Sequence, residues 1–356
     1  MKLDQPKVVT FDVTYRCSLA CNMCQTKWYQ QDDRFNSTLS KEQIIQTAKR
    51  LNVEEGATFF RFLGAEPLLH PDIFEIISEV SKIGKTWLTT NGTLITDKVA
   101  NQLVTSGLTD LCVSYHSPNE HYTGVSAEKI TTRTIKGVQA IESAKQLLSR
   151  SLNVTVTNVI TPANYTNLQA VVNLFHGLDV KLEFFAVHSM RSHLNNSYWN
   201  GQKAEYLGPN IDEPKMLNLW QKMVFRYQLQ KIRAKYKRAG IRLLYFITSQ
   251  LVYLYEELQA MLVYTPCTKP TQRIGVRADG KIFACEFLKT IDMGSITDDN
   301  LWNTAKREQL VVLTQSAKLE ICRQCNRQSL YRPHVWPLRF VHKLSAIFSR
   351  VVSFTK

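Results

Sequence analysis

Residues 8–24 read VVTFDVTYRCSLACNMC, an apolar β-type run that leads directly into three closely spaced cysteines. Cys17, Cys21 and Cys24 form a C-x3-C-x2-C pattern on what the sequence predicts to be one short loop. Three thiolates on one loop can hold three corners of a 4Fe–4S cube and leave the fourth iron without a protein ligand. The competing interpretation is a zinc knuckle that recruits a distant fourth ligand.

Six apolar runs alternate with amphipathic segments over the first 190 residues, which predicts an α/β fold made of parallel βαβ units. The runs occupy 8–13, 58–63, 86–90, 110–115, 153–160 and 182–187, and the amphipathic segments lie near 40–51, 72–83, 96–105, 131–148 and 167–175. Ser40 followed by Gln43 fits a capping box, and Thr96 is placed as an N-cap. Six such units fit either an open sheet or a partial barrel, and the pattern alone does not separate the two.

The rhythm changes after Val187, and the pattern divides the chain into four parts. Residues 1–190 form the α/β region and 191–264 a connector of loop, basic helix and apolar helix. Residues 265–330 form a small module of short strands, and 331–356 a basic amphipathic tail. Within the third part, Val276–Phe283 reads as a β-hairpin that turns at Asp279 and Gly280.

The formal net charge of +14 is concentrated towards the C-terminus. Residues 214–255 contain nine Lys and Arg and no acid, and residues 321–356 contain seven and no acid. The start of the chain does not resemble an export signal, and no charge-free window of eighteen apolar residues predicts a membrane-spanning helix. Eight cysteines in such a chain read as metal ligands sooner than as disulfides, and we expect a cytoplasmic location.

The segment Gly64-Ala65-Glu66-Pro67, at the end of the second run, combines with the cysteine triad into a recognisable pattern. With it the chain resembles the radical S-adenosylmethionine (SAM) superfamily over nearly its full length. The resemblance implies a partial (β/α)6 barrel related to the TIM barrel, whose triad holds a 4Fe–4S cluster with SAM on the open iron. It also implies reductive cleavage of SAM to a 5′-deoxyadenosyl radical that abstracts a substrate hydrogen. Met23 and Ala65 stand where the family more often has an aromatic residue and a glycine.

The resemblance further implies six SAM-binding positions, which are Gly64, Ala65, Glu66, Asn91, Ser114 and Asn158. The backbone of Gly64–Pro67 and the Glu66 carboxylate are expected to receive the SAM ammonium group. Small residues there allow SAM to approach the backbone closely. The polar side chains that end the third, fourth and fifth runs are expected to meet the methionyl and ribose parts. The alternative for each is a short polar residue that caps the chain at a strand end. No catalytic residue is assigned.

A second set of cysteines comprises Cys267, Cys285, Cys322 and Cys325, with Gly280 five residues before Cys285. It resembles the shortened auxiliary-cluster module called Twitch, a relative of the longer SPASM module. The resemblance implies one auxiliary 4Fe–4S cluster with four thiolates, because no cysteine follows Cys325 to ligate another. Zinc is the alternative for a four-cysteine site. The remaining Cys112 has apolar neighbours in a predicted strand and is expected to be a buried thiol.

Two basic segments lie outside these sites. The predicted helix at 214–239 fits an anionic substrate, nucleic acid or lipid, and its alternative is a solvated basic face. From Val335 the tail has an apolar stripe opposite a cationic one, which is typical of helices that lie on anionic membranes. Its alternative is packing on the barrel or on a partner subunit. A peripheral contact with the inner face of the membrane is therefore one expectation for the tail.

The resemblance implies two chemistries for members that carry one auxiliary cluster. One is oxidation of a small carbohydrate-like substrate, lipid-linked forms included, with the auxiliary cluster as electron acceptor. The other is modification of a ribosomally made precursor peptide by a cross-link or an epimerisation. The first run starts by Val8 and leaves no N-terminal peptide-recognition domain, which favours the small substrate. An external electron donor such as flavodoxin or ferredoxin is the implied partner. The alternative of another class is a non-enzymatic metal-binding or nucleic-acid-binding protein.

Overall fold

The computed structural model describes residues 7–21, 24, 37–115, 126–186, 198–199, 202–203, 217–234, 272–285, 292–302 and 305–315. The strands are β1 (Lys7–Thr14), β2 (Ala57–Gly64), β3 (Lys85–Thr90), β4 (Asp110–Ser114), β5 (Asn153–Ile160), β6 (Lys181–Ala186), β7 (Tyr198–Trp199), β8 (Gln202–Lys203), β9 (Arg273–Val276) and β10 (Ile282–Phe283). The helices are α1 (Lys41–Glu55), α2 (Ile73–Ser81), α3 (Asp97–Thr105), α4 (Ala127–Leu147), α5 (Leu168–Leu174), α6 (Leu219–Ala234) and α7 (Ala305–Gln315). Each of the six predicted strands is present within one residue of its predicted bounds.

Eight of these strands form one sheet in the order β10-β9-β1-β2-β3-β4-β5-β6. Strands β1 to β6 pair in parallel with their neighbours in chain order, as strands joined by helical crossovers must. Among the described strands no pairing joins β6 to β10, so the sheet has two edges. This arrangement confirms the α/β fold and the partial (β/α)6 barrel.

Alternation along each strand gives this sheet two chemically different sides. On the helix-facing side, Val9, Phe11 and Val13 of β1 join Phe60 and Phe62 of β2 in the buried core. The core continues into the helices through Ile44, Ile76, Leu103 and Ile141. Successive strand residues point to opposite faces, so the residues between these core positions lie on the other side, here called the inner face.

Helix ends are fixed by the residues that the sequence singles out. The backbone N–H of Gln43 donates to the Ser40 hydroxyl at 3.2 Å, and the Ser40 N–H donates to the Gln43 side chain at 2.8 Å. This reciprocal pair is the predicted capping box of α1. The Thr96 hydroxyl accepts from the Val99 N–H at 3.3 Å and caps α3, also as predicted.

The C-terminal module shares the sheet of the barrel. Strand β9 pairs in parallel with β1, and β10 returns antiparallel to β9. The predicted hairpin is confirmed, with Gly280 in the left-handed region at φ 79° in its turn. Gly275 has no room for a side chain, because a Cβ there would lie 2.1 Å from the Phe283 ring. The third part of the sequence is therefore joined to the first through backbone pairing.

Several predicted segments lie outside the described residues. They include the apolar helix that ends the connector at 264 and the tail at 331–356. Helix α6 occupies the centre of the predicted basic helix at 214–239. Of the helices that the structure describes, none has the length and apolarity to cross a membrane.

Candidate functional site

The cysteine triad lies just beyond the carboxyl end of β1. Cys17, Cys21 and Cys24 have half-buried thiol side chains, and the Cys24 N–H donates to the Cys21 carbonyl at 3.1 Å. The Cys17 sulfur accepts from the Leu19 N–H at 3.3 Å. Three thiol side chains are thus held on one loop at the end of the first strand, as predicted.

The environment of the triad fits an iron–sulfur cluster. Burial raises the pKa of the Cys17 thiol, and the negative charges of Glu66 and Cys24 raise it further. A thiolate there needs a compensating positive charge, which bound iron supplies. Among the described residues no three His, Cys, Asp or Glu side chains converge on a point where a single metal ion would sit. A cubane does not require such convergence, because each of its thiolates binds a different iron.

The segment from Gly64 to Glu66 is attached by its backbone to the chain that leads into Cys17. The Ala65 N–H donates to the Thr14 carbonyl at 2.9 Å, and the Glu66 N–H donates to the Arg16 carbonyl at 3.0 Å. Gly64 adopts φ 117°, and a Cβ there would lie 2.3 Å from the Thr14 oxygen. Gly64 therefore lets the end of β2 lie close to the backbone of β1, and a close approach to SAM stays a prediction. Ala65 is not among the residues with positive φ, so its extra methyl group causes no backbone strain.

The Glu66 carboxylate is fully buried and accepts three hydrogen bonds from the protein itself. Its Oε1 accepts from the Leu68 N–H at 3.1 Å and from the Thr90 hydroxyl at 2.7 Å. Its Oε2 accepts from the Asn91 N–H at 2.8 Å. Burial raises the pKa of Glu66, and these three donors oppose that shift. Glu66 thus joins the ends of β2 and β3, and a direct contact with the SAM ammonium group stays a prediction.

Asn91 lies directly after β3, with its side chain directed at the triad. Its Oδ1 accepts from the Thr93 N–H at 2.9 Å and from the Thr93 hydroxyl at 2.6 Å. Its Nδ2 donates towards the Cys17 sulfur at 3.9 Å, and its carbonyl accepts from the Thr134 hydroxyl at 3.3 Å. The structure therefore brings Asn91, Glu66 and the triad together at the carboxyl ends of neighbouring strands.

Ser114 and Asn158, the other two predicted SAM contacts, lie on opposite sides of the sheet. Ser114 ends β4 half-buried on the inner face. Asn158 has the same parity along β5 as Val154 and Val156, which are core residues, and it is only 2% exposed. Its Nδ2 donates to the Tyr115 carbonyl at 2.7 Å. Asn158 therefore supports the end of β4 from the helix-facing side, and a direct contact with SAM stays a prediction.

The inner face carries charged and polar side chains that the sequence argument overlooked. Arg61 of β2 lies over the Trp87 ring at 5.6 Å, and Glu183 of β6 is half-buried on the same face. Cys112 is buried, as predicted, but its sulfur lies 3.6 Å from the Thr157 hydroxyl on this polar side. Burial raises the pKa of its thiol. These inner-face residues can be located from the sequence, because polar residues alternate with core residues along each strand with a period of two.

The second cysteine site is represented by Cys285, a half-buried thiol after β10. Cys267, Cys322 and Cys325 lie outside the described residues. Phe283 pairs with Gly275, which pairs with Thr10 of β1, so β10 ends at the level of Thr10, two residues before Cys285. Cys17 lies beyond Thr14, at the other end of β1. At about 3.3 Å per residue, the four residues from Thr10 to Thr14 span ~13 Å along the strand.

Two family models match the chain at the places where the cysteines lie. The model of the radical SAM superfamily matches residues 11–176. The SPASM model, an iron–sulfur cluster-binding domain, matches residues 267–326. The two matches contain both cysteine sets, and they confirm the resemblance on which the cofactors were predicted.

Curated relatives share much of the chain at modest identity. A GTP 3′,8-cyclase of Aquifex aeolicus is 26% identical over 295 residues, which are 80% of this chain and 84% of the relative. A GTP 3′,8-cyclase of Staphylococcus haemolyticus is 24% identical over 330 residues, which are 88% of each chain.

Solved structures share the fold at lower identity. SuiB of Streptococcus suis bound to S-adenosylmethionine has a TM-score of 0.61 at 15% identity, over 90% of this chain and 72% of that one. The protein anSMEcpe with bound AdoMet has a TM-score of 0.58 at 18% identity, over 98% of both chains. At these identities the similarity shows the fold alone.

Proposed function

We propose, from the membership of this chain in the radical SAM superfamily, that it abstracts a hydrogen atom from a small, anionic, sugar-bearing substrate bound at the inner face. The chain is an enzyme with two 4Fe–4S clusters and SAM as its cofactors. The non-enzymatic alternative is therefore wrong. The observation that carries the proposal is the polar inner face between the two cysteine sites.

We assign the two clusters to cysteines near opposite ends of β1. Cys17, Cys21 and Cys24 would hold the catalytic cluster, while Cys285 and the three cysteines outside the described residues would hold the auxiliary one. When bound, the catalytic cluster and SAM supply a 5′-deoxyadenosyl radical. The hydrogen bond from the Asn91 N–H to Glu66 holds the ends of β2 and β3 together beside the triad. Gly64 lets the end of β2 lie close to the Thr14 carbonyl of β1. The proposed substrate would lie on the inner face between the two sites.

The substrate class rests on the relatives and on Arg61. GTP, the substrate in the relatives' names, is a phosphorylated, ribose-bearing molecule, and position 3′ lies on its ribose. Arg61 lies half-buried on the inner face, with its guanidinium carbon 5.6 Å from the centre of the Trp87 ring. A guanidinium binds phosphate oxygens in a planar, bidentate geometry, so Arg61 is the side chain that we assign to an anionic group of the substrate.

The names of these relatives are those of cyclases, so they give no support to net oxidation of an alcohol. They also give none to a precursor peptide, and solved neighbours with peptide partners show the fold alone. The tail that motivated a lipid-linked substrate lies outside the described residues. We therefore propose the substrate class and the hydrogen abstraction, with an external reductant of the flavodoxin or ferredoxin class.

The first experiment is anaerobic incubation of the reconstituted enzyme with SAM and a strong reductant. We expect 5′-deoxyadenosine to form and its yield to rise when a substrate of the proposed class is added. The assay would compare GTP, other nucleotides, sugar phosphates and an uncharged nucleoside. Deuterium transfer from ribose-deuterated substrate into 5′-deoxyadenosine would identify the sugar as the site of abstraction. Absence of 5′-deoxyadenosine under all conditions would refute the proposal.

The second experiment tests Arg61. Arg61→Gln should abolish the stimulation by a phosphorylated substrate while leaving the slow, substrate-free cleavage of SAM in place. Arg133→Gln, on the exposed side of α4, is the matched control that removes the same charge far from the inner face. Equal stimulation in both variants would show that Arg61 does not bind the substrate.

A further inference from the structure

Asn91, which lies outside the triad loop, donates a hydrogen bond from its side chain to a triad sulfur. Its Nδ2 lies 3.9 Å from Cys17 Sγ, and the Leu19 N–H is a second donor to the same sulfur at 3.3 Å. The sulfur of Cys17 therefore faces one donor from its own loop and one from the end of β3.

We infer that Asn91 is a positioning residue that tunes the catalytic cluster, and that its amide raises the cluster's reduction potential through Cys17 before SAM binds. The inference rests on the proposed function, because it requires a cluster on the triad. Adding an electron to the cluster increases the negative charge on its thiolate ligands. An N–H donor to such a sulfur stabilises the reduced state more than the oxidised state.

The hydrogen bonds around Asn91 leave its side chain little freedom to turn away. Its backbone N–H is held by the Glu66 carboxylate, and its carbonyl is held by the Thr134 hydroxyl. Its Oδ1 accepts both donors of Thr93. With three of its polar groups engaged in this way, the amide nitrogen is directed at the sulfur. The buried Glu66 thereby helps to hold Asn91 in place beside Cys17.

The test is Asn91→Asp, which replaces the amide nitrogen of the side chain with an oxygen. A carboxylate keeps the acceptor oxygen for the Thr93 donors, but it replaces the amide donor beside Cys17 with a negatively charged oxygen. We expect at least a tenfold fall in the equilibrium constant for one-electron reduction of the cluster, which corresponds to 59 mV. The measurement is a redox titration without SAM, followed by electron paramagnetic resonance. The variant with Cys17, Cys21 and Cys24 all changed to Ala gives the auxiliary signal to subtract.

Two further variants make the result decisive. Asn91→Ala removes the donor without adding a charge and should lower the potential in the same direction, by less. Asn101→Asp makes the same amide-to-acid change on the exposed side of α3 and should leave the potential unchanged.

An unchanged potential in both Asn91 variants with full iron content would overturn the inference, and a weaker SAM affinity alone would make Asn91 a cofactor contact. Loss of iron from both Asn91 variants would also overturn it, since the role would then be structural. A wild-type protein that takes up no iron on the triad would instead overturn the proposed function.

Discussion

The two faces of the parallel sheet are made from the same strands, yet they do different work. On the helix-facing side, Phe11 and Phe62 stack at 6.1 Å between ring centroids inside a continuous apolar core. On the inner face, the intervening positions hold Arg61, Trp87 and Cys112 among hydroxyl side chains. Because alternate residues point to opposite faces, each strand specifies stability and chemistry separately. A substitution should therefore affect one and spare the other.

The largest expected effect concerns the triad at the carboxyl end of β1. Reconstituted protein should contain about eight irons and eight sulfides, as two cubane clusters require. Changing Cys17, Cys21 and Cys24 together to Ala should leave about four of each and reduce 5′-deoxyadenosine to background. Metal analysis and a product assay measure both. Stoichiometric zinc in that variant, with no second cluster, would contradict the auxiliary-cluster assignment.

The next effect compares two phenylalanines of β2 on opposite faces. Phe62 is fully buried in the core, so Phe62→Ala should lower the free energy of unfolding by about 3–5 kcal/mol. Phe59 is half-buried on the inner face, with its ring 6.4 Å from that of Trp87, and Phe59→Ala should cost clearly less. Urea unfolding of the two variants measures the difference. Equal losses would break the comparison between the faces.

A smaller effect is expected at Glu66, which joins the ends of β2 and β3. Glu66→Gln introduces an amide that cannot accept all three donors, so the free energy of unfolding should fall by about 1–3 kcal/mol. If the carboxylate also receives the SAM ammonium group, SAM affinity should weaken by about 1.5–3 kcal/mol. Thermal unfolding and a SAM titration separate the two roles. The control is Glu75→Gln, at an exposed carboxylate of α2.

The smallest effects concern two strand ends on opposite sides of the sheet. Asn158→Ala leaves the Tyr115 carbonyl without its 2.7 Å donor and should cost about 1–2 kcal/mol of stability with SAM affinity unchanged. Ser114→Ala should show the reverse, with full stability and SAM affinity weaker by about 0.5–1.5 kcal/mol. Weaker SAM binding in the Asn158 variant would support the prediction that this residue contacts SAM.

Local patterns in the sequence were sufficient for most of the fold. Period-two runs located β1 to β6, and residues that bond to their own neighbours, such as Ser40 with Gln43, marked helix starts. Both signals depend on contacts within a few residues, so they survive without knowledge of the tertiary structure. The pairing of β9 with β1 depends on a contact between residues more than 260 positions apart, and no local pattern contains it.

The site was predicted less completely, for two physical reasons. Glu66 was identified, but its three donors come partly from Thr90 and Asn91, which only the assembled sheet brings next to it. Asn158 was placed by its position at a strand end, although its parity with Val154 and Val156 already indicated the helix-facing side. Arg61 was overlooked because attention went to strand ends, whereas its side chain lies in the middle of β2.

The pairing of β9 with β1 also bears on how the chain can be divided. Without residues 265–330, β1 would lose the strand that pairs with its residues 8–11 and would have unpaired N–H and C=O groups along that side. Exposed edge strands are templates for pairing with other chains, and so for aggregation. A fragment that ends near residue 190 should therefore self-associate even though it contains the whole triad. The auxiliary module serves the barrel as a cover for its first strand, whatever electrons pass through it.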